Sequence, residues 1–373
     1  MKRIARLLPL LVLIASCKKN NDKPSTPNYT VSTTYNFADF NDSNSVKLLL
    51  MIDQIGAKVN TGNTVPHTVV SAQVLKDMFN NVNGYFVDSS LKLNNSGLSL
   101  ANFCSPAAKA DLLNYFDSIG LYSQSTATAS NGVAGVIAST VSTNKKFLLS
   151  PNGVWYYQVY RKTAHGGILQ NSINHYLTDS LATGTNSAHY WDLAFGLLGV
   201  PVNFPTSTTG LKYLGSYSNQ VDPGLGSNKK LMNAFLTGRA AIGAKDNATA
   251  QAQATIIIKT LDSLDAAAIV QEMKETDANI EAGDAVAAYG TLSETTGFIR
   301  NLKYNTSGTR VITDAQYTQL LALLDNTTPN TPNLYNFVNA SVSTKQQIEA
   351  KTDAIRQFIG KTYGFSASQL AAQ

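Results

Sequence analysis

Cysteine is almost absent from this 373-residue chain: there are two, Cys17 and Cys104. That is too few for a disulfide framework or a thiolate metal site, so stability has to come from core packing. Charge is also scarce, at 14% Asp, Glu, Lys and Arg, with Asn, Ser and Thr supplying much of the polarity. No basic run with interleaved aromatics occurs, which argues against nucleic acid as a partner. No apolar run approaches the ~20 residues of a membrane-spanning helix. The chain also lacks a His-Glu-x-x-His zinc motif, a Gly-x-Ser-x-Gly elbow and a phosphate-cradling Gly-x-x-x-x-Gly-Lys loop, which removes the commonest hydrolase and nucleotide-binding signatures.

What is present begins at the N-terminus. Lys2, Arg3 and Arg6 form a positive head, and Leu7 to Ala15 form a short apolar core. Ile14, Ala15 and Ser16 then lead into Cys17. This pattern predicts a cleaved export signal over residues 1–16, with Cys17 lipid-modified as in bacterial lipoproteins. Cleavage lowers the 29 basic residues by three, to 26, against 24 acidic ones, so the precursor's charge of +5 is no nucleic-acid signature. It also leaves Cys104 as the lone thiol, and lipid as the expected link to a membrane. Residues 17–34 are polar, carry Pro24 and Pro27, and read as a flexible tether.

From residue 35 onward the periodicity is helical. Leu48, Ile52, Ile55 and Val59 form one stripe; Val70, Val74 and Met78 form another. Ser105-Pro106 precedes Leu112, Leu113, Phe116 and Ile119, with Gly120 behind: a cap, a first-turn proline and a terminal glycine. Residues 153–181 are the most apolar stretch, broken only by Gly166-Gly167. A short helix is expected over 187–198 and longer ones near 228–246, 249–281 and 284–303. Thr313 and Thr344 cap the last two. Val133 to Val141 reads as loop or a short edge strand. These patterns predict an all-α protein of packed bundles with little or no sheet. The Gly-, Ser-, Thr- and Pro-rich stretch 202–227 reads as the longest loop. It divides the domain, 35–373, into candidate sub-bundles 35–201 and 228–373.

Among the four histidines, His67 and His175 read as surface residues and His165 as the mark of a kink before Gly166-Gly167. His189 and Asp192, three apart on an apolar helix, are expected to share a face and enter the interior together. Three readings are open: a hydrogen-bonded pair, an i, i+3 pair of metal ligands, or the wall of a metal-free pocket. Glu294 is the candidate to complete such a site from a later helix, its alternative being a solvated helix face. Gln170 and Asp53 are weaker additions.

Three segments carry a resemblance: residues 29–37 (YTVSTTYNF), 189–196 (HYWDLAFG) and 292–299 (LSETTGFI). Together they resemble a family of Bacteroidota lipoproteins known as domain of unknown function 4856, from about residue 29 to the end. The resemblance implies company with imelysin-like proteins and outer-membrane iron receptors, and a helical double bundle like theirs. Imelysin-like proteins carry a Gly-x-His-x-x-Glu metal motif. Here Ser187 replaces its glycine and Asp192 its glutamate, and Leu193 stands where the lipoprotein family has an acid. The depleted set points to binding rather than catalysis. The expectation is therefore an outer-membrane lipoprotein with a binding or accessory role, in iron or haem acquisition by family association alone. A divalent metal or iron at His189, Asp192 and Glu294 is the candidate cofactor. The alternatives are a metallopeptidase-type enzyme on those residues, or a structural partner of an outer-membrane receptor or imelysin-like protein.

Overall fold

Helix α1 (Ser43–Asn60) carries the first apolar stripe, and Leu48, Ile52, Ile55 and Val59 are all buried. The computed structural model describes residues 29–35, 43–64, 66, 68–87, 90–305, 308–325, 332–339 and 344–373. The expected signal, Cys17 and His67 lie outside the described residues, as does most of the expected tether. Residues 31–373 form one compact unit.

Local signals set most helix starts. Ser71 caps α2 (Ala72–Asn80), so Val70 sits just before the helix rather than in it. A four-residue turn, α3 (Leu100–Phe103), precedes α4 (Pro106–Tyr122), where Ser105 accepts from the Ala108 amide and Pro106 occupies the first turn. The stretch around Val133 is paired: β1 (Gly135–Ala138) runs antiparallel to β2 (Lys146–Leu149), with Gly135 opposite Leu149. These two strands make the one sheet among the described residues.

Gly166-Gly167 does not break its helix. α5 (Tyr156–Ala164) passes through a π-helical segment, His165–Gln170, into α6 (Asn171–Thr183). The two glycines are there for contact. A Cβ on Gly166 would lie 2.6 Å from the Asn301 side chain, and one on Gly167 would lie 2.2 Å from the Ala108 Cβ. α7 (Ser187–Leu198) ends at left-handed Gly199.

The stretch 202–227 is not all loop. It folds into α8 (Tyr213–Leu225), which meets α9 (Ser227–Gly243) at Gly226. α10 (Asn247–Glu281) and α11 (Ala285–Tyr304) follow, joined by a turn in which Asp284 caps α11. A connection this short makes them antiparallel neighbours. Both are buried along most of their length, and α6, α8, α9 and α14 pack on α10 while α5 packs on α11. α12 (Asp314–Leu323), α13 (Leu334–Val338), α14 (Lys345–Tyr363) and α15 (Ala367–Ala372) complete the bundle. Thr313 and Thr344 each close a reciprocal capping box with a glutamine three residues on. The architecture is all-α, built of packed helices.

Candidate functional site

Helix α5 presents a polar stripe where a packed helix usually carries apolar residues. Gln158, Arg161, Lys162 and His165 recur at i, i+3, i+4 and i+7, on one face. α8 answers with Tyr213, Ser216, Tyr217 and Gln220 at the same spacing. The two stripes line a common cavity of about 360 Å3, to which α1 adds Asp53 and α11 adds Glu294.

Glu294 is held by three donors. Lys162 Nζ stands 2.8 Å from Oε2, the Tyr217 hydroxyl donates to the same oxygen at 2.8 Å, and Gln158 Nε2 donates to Oε1 at 2.7 Å. Gly297, one turn on, permits this approach: a Cβ there would lie 2.5 Å from the Lys162 Cβ. Behind Glu294 lies Glu272 of α10, 3% exposed and hydrogen-bonded to it. Burial, then the charge of Glu294, pushes the Glu272 carboxyl well above the usual range. Burial would raise Glu294 too, but the Lys162 ammonium and the surrounding donors hold it below its ordinary value. Glu272 therefore keeps its proton while Glu294 is ionised.

Lys162 is compensated by Glu294 and lies 4.8 Å from the Tyr217 ring centre. Lys212 reaches Asp53 at 3.4 Å, and the Tyr213 hydroxyl donates to Asp53 at 2.6 Å. Arg161 differs. Its guanidinium sits 5.6 Å from the Tyr157 ring and 5.4 Å from the Tyr213 ring, and its Nη1 donates to the Tyr157 hydroxyl at 3.0 Å. Among the described residues no carboxylate forms an ion pair with it.

His165 is 1% exposed, its ring set edgewise among Tyr213, Tyr217 and Phe298 at 5.2 to 6.0 Å. Nδ1 is buried without a hydrogen-bond partner. Burial first, then the charges of Lys162 and Arg161, hold its pKa well below the ordinary 6.5, so the imidazole is neutral. The π-helical segment starts at this residue, a form of backbone that recurs at functional sites.

The residues singled out from sequence separate into several places. Asp53 and Glu294 do line one cavity. Gln170 does not; it is buried against Asp265, donating at 2.8 Å. The expectation that His189 and Asp192 enter the interior together is corrected: Asp192 is fully buried and His189 is exposed. Three residues along a helix leave side chains ~60° apart, and the buried arc of α7 ends between them. Asp192 accepts from the Tyr35 hydroxyl at 2.6 Å and from Arg239 Nε at 2.8 Å. Its neighbour Trp191 donates to the Phe235 carbonyl at 3.0 Å and lies on Gly238. This segment ties α7 to α9 and to the strand of chain at Tyr35, whose ring stacks 3.7 Å from that of Phe195. His175, expected at the surface, is exposed beside Asp179.

The donor set does not fit a resident metal. Glu294 already accepts from Lys162, Tyr217 and Gln158 on its two oxygens, and Asp192 Oδ1 accepts from both Tyr35 and Arg239. Among the described residues no three of His, Cys, Asp and Glu are placed to hold an ion.

The family described as Domain of unknown function (DUF4856) matches residues 32–366. The chain belongs to this family. No curated protein and no solved structure matches it. Two of the three segments that resemble the family are now placed. Residues 189–196 carry the tie at Trp191 and Asp192; residues 292–299 carry Glu294, Gly297 and Phe298 at the cavity.

The cavity residues missed by sequence reasoning include Gln158, Arg161, Lys162, His165, Lys212 and the α8 stripe. Their signal was a polar i, i+3, i+4, i+7 repeat inside segments taken as apolar core or as loop.

Proposed function

We propose that this protein is a lipid-anchored binding protein of the outer membrane, with the cavity between α5 and α8 as its ligand site. Its role is accessory: it holds a small ligand near the membrane for a receptor, in the setting of iron or haem acquisition that the resemblance implies. The anchor rests on the signal ending at Cys17. The observation that carries the binding reading is His165, a fully enclosed imidazole on the cavity wall whose Nδ1 has no partner. Buried polar atoms in a finished core are hydrogen-bonded, so one left over on a cavity wall is accounted for by a partner that enters the cavity.

A panel of sugars, amino acids, organic acids, ferric chelates and haem, read by melting temperature, tests the reading. Compounds that raise the melting temperature of the wild type should fail with Ser216→Trp, which fills the cavity. If nothing in the panel shifts the wild type, or if the hits act equally on Ser216→Trp, the cavity is not the binding site. The anchor has its own test. Cys17→Ser should move the protein from the membrane to the soluble fraction, and retention at wild-type levels would exclude lipid as the anchor.

A further inference from the structure

We propose that the ligand is a small organic monoanion, a carboxylate with hydrogen-bonding groups around it, whose acid group seats on Arg161. The proposal rests on the binding reading above and concerns the charge of what binds.

The wall carries Arg161, Lys162 and Lys212 against Asp53 and Glu294, with His165 neutral. Lys162 is compensated by Glu294 and Lys212 faces Asp53, so the one positive charge left over is Arg161. Asp53 acts on Arg161 through its charge but is itself held by Lys212 and Tyr213, so this half-buried guanidinium has no ion pair of its own and bears a desolvation cost that an incoming oxyanion relieves. Its setting also fixes its aim. Tyr157 and Tyr213 hold the group near their rings, and one nitrogen is occupied by the Tyr157 hydroxyl. The remaining donors suit the two oxygens of a carboxylate, a planar match that lysine cannot offer.

The rest of the wall limits the ligand further. Asp53 and Glu294 oppose a second negative charge, which disfavours phosphate esters with their charge of about −1.5 to −2. They equally leave no uncompensated acid to hold a cation. The neutral His165, with Ser216 and Gln220 of α8, offers hydrogen bonds to hydroxyl or carbonyl groups without adding charge. A volume of about 360 Å3 lies at the small end of ligand sites, which run from roughly 300 to 1,000 Å3.

The test compares each acid with its own neutral form. Small hydroxy acids and sugar acids are screened by melting temperature beside their amides and, for sugars, their phosphate esters. Hits are then titrated by calorimetry. Acids should bind and their amides and phosphate esters should not, a comparison that needs no variant. Arg161→Met, of similar length and uncharged, should weaken an acid roughly 10- to 100-fold, the loss of a charged hydrogen-bonded pair. Arg161→Lys should fall between the two. Hits that are neutral or cationic, or acids that bind Arg161→Met as well as wild type, would overturn the monoanion while leaving the binding reading intact. No hit of any class would remove both.

Discussion

Glu272 and Glu294 are two glutamates side by side, yet one is protonated and the other ionised because Lys162 forms its ion pair with the second. Glu272 binds its proton more tightly folded than unfolded. Its contribution to stability is therefore complete below about 4.5 and is lost as pH rises through its folded value. His165 acts in the opposite direction. Its folded pKa lies below 6.5, so stability present above 6.5 is lost as pH falls. In urea unfolding, Glu272→Gln should gain stability relative to wild type between pH 5 and pH 8. His165→Phe should lose less than wild type between pH 7 and pH 5.5, the difference being up to about 1.4 kcal/mol per pH unit below 6.5. Parallel pH profiles for a variant and wild type would mean that group does not titrate as described. The α7 pair gives a sharper contrast. Asp192→Ala should cost about 3–5 kcal/mol by removing the buried carboxylate that both Arg239 and Tyr35 bind, whereas His189→Ala, at an exposed position, should cost clearly less. Equal losses from the two would restore the pairing that the sequence suggested.

At the scale of elements, the π-helical segment is the junction on which the site depends. It continues α5 into α6 without a break, and its glycines let α4 and α11 come close while His165 stays on the cavity face. Gly167→Ala would set a methyl group 2.2 Å from the Ala108 Cβ, so it should destabilise by about 1–3 kcal/mol through overpacking. Ala108→Gly in the same chain should recover part of that loss, because it removes the opposing methyl. A calorimetric melt of the single and double variants checks both, and failure of the rescue would place the strain elsewhere. α8 shows the converse case. Its Gly-, Ser- and Pro-containing sequence has weak helix propensity, and it becomes helical because Tyr213, Leu214, Ser218 and Val221 are buried against the bundle.

For the whole molecule, the long pair α10 and α11 receives helices from both sides of the stretch 202–227, with α5 and α6 from before it and α8, α9 and α14 from it and after it. Unfolding of the domain should therefore be a single cooperative transition. Two separable transitions in a calorimetric scan would instead support independent sub-bundles 35–201 and 228–373.

Helix positions, their caps and the all-α class were legible in the sequence because each depends on neighbours within a few turns. Ser105, Thr313 and Thr344 cap where the local pattern places them, and α7 occupies the stretch 187–198 expected for it. What the site became was settled only by packing. Whether a residue 60° around a helix meets solvent or core depends on the neighbouring helix, and this separated His189 from Asp192. The facing of the α5 and α8 stripes joins residues 55 positions apart, each ordinary in its own segment. Their chemistry appears only once the bundle sets Arg161 beside two tyrosines and closes over His165, because charge compensation and burial are properties of the assembled wall and of no single stretch of chain.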